Sequence, residues 1–87
     1  MNINIFQKYK VKISINASVL QPEGYETISE TNIHENVDGC DLMNWIAKYL
    51  QDSEIICIKL VDNGIKFEKF NPDTGEGGTI YYKIEEQ

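Results

Sequence analysis

The run YKVKISINASV, from Tyr9 to Val19, places an apolar residue at every odd position (Tyr9, Val11, Ile13, Ile15, Ala17, Val19) and a polar one at every even position between them. Alternation with period two marks a strand that keeps one face on a core and the other in water. The spacing therefore predicts a long β-strand. Its wet face opens with Lys8, Lys10 and Lys12, charges that also guard a sheet edge against pairing with other chains. The rest of the chain has to cover the apolar face.

Forward of this run, Gln21-Pro22-Glu23-Gly24 predicts a turn, with Pro suited to its second position and Gly to its end. The chain returns through YETISETNI, where the alternation is weaker and more polar, so a second strand is expected from Tyr25 to about Thr31. Next comes IHENVDGCDLMNWIAKYLQD, residues 33–52, with the only His, the only Trp and one of the two Cys. Leu42, Trp45, Ile46, Tyr49 and Leu50 fall at helical spacing and predict an amphipathic helix from about Gly39 to Gln51. Asp38 is placed to accept a backbone N–H as its N-cap, with Asp41 three residues on in the manner of a capping box. SEIICIKLV is β-branched and almost continuously apolar, which predicts a central strand buried on much of both faces.

Asp62-Asn63-Gly64 signals a tight hairpin. With Asn63 and Gly64 as its two loop residues, Leu60 would oppose Phe67 and Lys59 would oppose Glu68. After IKFEKF, the segment NPDTGEGG reads as a looser turn whose GEGG is a flexible hairpin tip, and TIYYKI as the last strand. The element order is β-β-α-β-β-β. The expected fold class is α+β, a two-layer arrangement of one amphipathic helix on an antiparallel sheet. At 87 residues, with 41% hydrophobic and 25% charged, the chain is expected to be a single compact domain over 1–87, too short for a second autonomous core.

Charge excludes more than it identifies. All eight basic residues are lysine, so the planar fork used for bidentate phosphate and guanine recognition is missing, and the net charge of −6 opposes a polyanion. Direct nucleic-acid binding is not expected. The charge is concentrated in residues 21–54, where Glu23, Glu26, Glu30, Glu35, Asp38, Asp41, Asp52 and Glu54 face Lys48 alone, giving −7. Such a segment steers a protein towards a basic partner. The N-terminal residues have no apolar signal-peptide core and no apolar run approaches a membrane span, so the expected location is the cytoplasm. There Cys40 and Cys57 are expected to be free thiols.

Motifs of chemistry are weak. Cys40 sits in the first helical turn six residues after His34, but its neighbours Asp38 and Asp41 oppose a thiolate. No cysteine or histidine pair has the spacing of a structural zinc site. HENVDGCDLMNW fails the calcium-loop pattern at its first position, His34, and at its last, Trp45. GEGG lacks the Lys-Ser/Thr and the helix of a phosphate loop. No cofactor, metal or catalytic residue is expected.

The leading expectation is a non-enzymatic inhibitor that binds a basic protein stoichiometrically, through Glu26, Glu30, Glu35, Asp38 and Asp41 with Tyr25 as an aromatic anchor. In size and charge, though in no shared motif, the chain resembles immunity proteins that block toxin nucleases and phage anti-defence proteins of the anti-CRISPR type. The alternatives are an assembly protein that forms a homo-oligomer through a sheet edge or open sheet face, and a small thiol enzyme using Cys40 and His34.

Overall fold

The computed structural model describes residues 2–87. Its elements are β1 (Lys8–Gln21), β2 (Gly24–Asp38), α1 (Gly39–Leu50), β3 (Ile55–Val61), β4 (Gly64–Phe70) and β5 (Gly77–Glu86), so the expected order β-β-α-β-β-β is the observed one. All five strands form one antiparallel sheet in the order β2-β1-β5-β4-β3. The first strand is as long as its alternation implies. Pro22 and Glu23 make the two-residue turn, and Gly24 takes a φ of 129°, which side-chain-bearing residues rarely adopt.

The core gathers at one end of one sheet face. Tyr9 and Val11 of β1, Ile80, Tyr82 and Ile84 of β5, Ile65 and Phe67 of β4, Val37 of β2 and Leu42 of α1 are buried, with Trp45, Ile46 and Tyr49 packed on them from the helix. Tyr49 stacks on Phe67 with ring centroids 4.6 Å apart, and both meet Tyr82 edge-on. Burial, followed by the contact with the Tyr49 hydroxyl at 3.4 Å, pushes the Tyr82 hydroxyl far above the usual tyrosine range, so it stays protonated where exposed tyrosines ionise. The Tyr9 hydroxyl, also buried, accepts the Asn4 backbone N–H at 2.8 Å.

The helix is short beside the longest strands. Twelve helical residues span about 18 Å at 1.5 Å per residue. Fourteen strand residues span about 46 Å at 3.3 Å each, and the molecule measures 46 × 22 × 20 Å. Tyr9 and Val11 are accordingly buried, while Ile13, Ile15, Ala17 and Val19, further along the same face of β1, are only partly so.

Four expectations are corrected. β3 is an edge strand, not a central one: Ile56, Ile58 and Leu60 are 64%, 41% and 81% exposed. An apolar run registers side-chain type and carries no information on which strands lie beside it. The β3–β4 loop is Asp62-Asn63, which sets Leu60 opposite Ile65 and Lys59 opposite Lys66, although Lys59 still reaches Glu68 diagonally at 2.9 Å. β2 continues to Asp38 and leads directly into α1. Asp38 occupies the N-cap position, but its side chain makes no capping hydrogen bond. Lys8 lies directly across the ladder and takes the carboxylate at 2.6 Å.

The connection from α1 to β3 is tied down by Asp52. Its Oδ1 accepts the Glu54 backbone N–H at 2.9 Å and its Oδ2 meets Lys69 Nζ at 3.0 Å. The bond from Glu54, then Lys69, holds the Asp52 carboxyl below its ordinary range, and Asp52 in turn raises Lys69. A depressed carboxylate contributes stability above its unfolded pKa and loses it as pH falls through the folded one. Asp52→Asn should therefore unfold more readily than the parent chain at neutral pH. The difference should shrink as pH falls through the lowered pKa of the folded Asp52 carboxyl, as read from denaturant midpoints across pH.

Candidate protein-binding groove

Beyond the end of α1 the helix-side face of the sheet lies open. Ile15, Ala17 and Val19 of β1 and Gly78 and Ile80 of β5 line a groove of about 280 Å³ there, with Glu54, Lys69 and Glu76 at its margin. The register supplies the remaining wall. Glu30 lies opposite Ile15, Ile28 opposite Ala17 and Glu26 opposite Val19, and directly opposed residues share a face. Glu26 and Glu30 therefore border the same apolar floor from β2, about 13 Å apart at 3.3 Å per residue.

Gly77 and Gly78 belong to β5 instead of forming a flexible tip. They lie opposite Ser18 and Ala17, so small residues on neighbouring strands leave the floor low. Glu76 closes the end: its Oε2 accepts the Leu20 backbone N–H at 2.8 Å, where β1 runs past its pairing with β5, and its Oε1 accepts the Thr74 hydroxyl at 3.2 Å. Lys69 is committed to Asp52. Among the described residues, no ion pair involves Glu26, Glu30 or Glu54. The site is an apolar concavity with Glu54 and the hydrogen-bonded Glu76 at its margin and Glu26 and Glu30 on the adjoining strand.

The structure separates the six residues singled out from the sequence. Glu26 and Glu30 share the groove's face, one strand out from its floor, opposite Val19 and Ile15. Tyr25 has the other strand parity and faces away, and its hydroxyl donates to the Thr74 carbonyl at 2.9 Å. Glu35 lies at an irregularity in the β1–β2 ladder beside Asn36, whose φ of 54° is left-handed. Asp38 is neutralised by Lys8. Asp41 sits in the first turn of α1, at the far end of the helix from the groove. Glu54 and Glu76, which complete the rim, were not singled out; they belong to loops whose place depends on the strand order.

The opposite sheet face mixes lysines with the carboxylates of Asp38, Glu68 and Glu85, which pair with Lys8, Lys59 and Lys83. Strand alternation and register put Lys8, Lys10, Lys12, Lys59, Lys66 and Lys83 there, with Lys66 Nζ 5.7 Å from the centre of the Tyr81 ring.

No protein-family model, curated protein or solved structure matches this chain. His34 packs its ring edge-on against Trp45 at 5.4 Å, and Cys40 and Cys57 are free thiols, Cys40 exposed. Among the described residues no three His, Cys, Asp or Glu side chains cluster where they could hold a metal ion, and no helix is long and apolar enough to cross a membrane.

Proposed function

We propose that this chain is a non-enzymatic protein-binding module that inhibits, one to one, a basic protein of the kind that handles nucleic acid. The groove would seat a lysine- or arginine-bearing segment of that partner. The supporting observation is the pairing of an apolar floor with unpaired carboxylates, Glu54 at its margin and Glu26 and Glu30 on the adjoining strand. Long basic side chains lay their methylene stems along apolar surface and carry their charge to the margin, and the groove presents both environments in that arrangement.

In this reading α1 is a second layer over half of one sheet face, the chain is one domain, and the open half is the working surface. Carboxylates stand where the partner would otherwise hold phosphates, so the chain itself needs neither nucleic acid nor cofactor. A cytoplasmic role of the immunity-protein or phage anti-defence type fits this size and charge. Exposed carboxylates act mainly on encounter rate and salt dependence.

The test compares the parent chain with Glu26→Lys/Glu30→Lys as bait for lysate proteins at low and moderately high salt, followed by assay of the captured enzyme. The parent chain should hold a basic nucleic-acid enzyme at low salt, release it at high salt and inhibit it at one-to-one stoichiometry. The variant should bind about tenfold or more weakly, since two attractions become repulsions. Equal capture by both baits would remove the groove from the argument.

A further inference from the structure

The two edges of the sheet are built differently. β2 carries Glu26, Glu30 and His34 on the helix side and an irregularity beside Asn36, devices that keep foreign strands from pairing. β3 has a bulge only at its Ile55 end, and its one charge, Lys59, is held by Glu68 on the other face. Along its middle run the exposed Ile56, Ile58 and Leu60.

Ile58 and Leu60 lie opposite Phe67 and Ile65, so they extend the core row beyond the cover of α1. Helical spacing puts Met43 and Leu50 on the flank of α1 away from Trp45. Trp45 turns towards His34 of β2, so Met43 and Leu50, both exposed, overlook β3. Ile58 and Leu60 on β3, with Met43 and Leu50 on the β3 side of α1, leave this edge apolar and exposed.

We infer that a second copy of the chain binds this edge. β3 of each copy pairs antiparallel with the other about a two-fold axis at Ile58, joining two five-stranded sheets into one with both helices on the same face. A two-fold interface must be complementary to itself, and Ile58 on the axis with Leu60 beside it presents apolar side chains to the second copy. That register meets Lys59 with Cys57, so no like charges oppose each other within the strand. These side chains leave on the order of 500 Å² of apolar surface exposed per copy, and the backbone of a seven-residue edge brings the interface towards the roughly 800 Å² per partner of stable complexes. Asp62 and Glu54 flank the seam and each chain carries −6, so salt strengthens this association, the reverse of its effect on the groove.

The test is sedimentation velocity of the full chain across the micromolar range at low and moderately high salt. A monomer–dimer equilibrium that salt shifts towards dimer is expected, and Ile58→Lys or Leu60→Lys should be monomeric with an unchanged circular dichroism spectrum. In a chain carrying Cys40→Ser and Cys57→Ser, Ile58→Cys should cross-link two copies on mild oxidation, because opposed Cα atoms sit about 4.5–5.5 Å apart. Leu60→Cys should not. A monomer at every concentration, a dimer that survives Leu60→Lys, or a dimer in which Ile58→Cys fails to cross-link overturns the inference. So does a monomer that loses a different protein's binding on Leu60→Lys, which would seat a foreign strand on β3.

Discussion

Phe67→Ala is expected to lower the free energy of unfolding by about 3–5 kcal/mol, as truncations of fully buried aromatic residues do. Phe67 is completely buried, stacked on Tyr49 and edge-on to Tyr82, so it joins the helix to β4 and β5 through one contact set. The loss has three parts: removal of the ring from the core, a cavity that flanking strands cannot close because they are fixed by hydrogen bonds, and the ring–ring contacts. Domains of this size are stable by about 5–15 kcal/mol, so the variant retains a small margin, and its melting temperature should fall by roughly 15–30 °C. Phe6→Ala is the control, since Phe6 is 91% exposed and its truncation should change stability by no more than about 0.5 kcal/mol. Denaturant unfolding of the two variants decides it, and a Phe67 effect near the control value would place the core elsewhere.

What could be read from the sequence was whatever depends on local spacing. The alternation of Tyr9–Val19 and the helical spacing of Leu42, Trp45, Ile46 and Tyr49 both lead to the observed elements, because side-chain period follows from backbone geometry. Strand parity separates Glu26 and Glu30 from Tyr25, although the sequence reading puts the three together on one surface. The misreadings are non-local. Ile55–Val61 looks central by composition but lies at an edge, because neighbours are set by the order of the whole sheet. Asp38 has the chemistry of an N-cap, but the ladder brings Lys8 opposite it, and a direct ion pair competes with the capping bond. The groove follows from a ratio: a twelve-residue helix cannot cover a fourteen-residue strand. Both lengths were predictable, and the place left uncovered was not.

Gly78→Ala is expected to disturb that uncovered place and cost on the order of 2–3 kcal/mol, as overpacking against fixed atoms does. Gly78 lies between Ala17 of β1 and Lys69 of β4. A β-carbon there would overlap the Asn16 carbonyl oxygen and approach the Ala17 Cα to 2.7 Å. Both are backbone atoms of the neighbouring strand, which cannot turn aside as a side chain can, so β5 and β1 must separate. The ladder between them ends at Gly77–Ser18, and the strain therefore falls near its free end, where opening is cheapest. Amide exchange should accelerate around residues 15–19 while the amides near Tyr82 remain protected. The groove floor shifts away from Glu54 in the same movement, so partner capture should weaken together with local protection. If protection is lost but capture is unchanged, the partner does not use this groove; if capture is lost with protection intact, the methyl group itself blocks the floor.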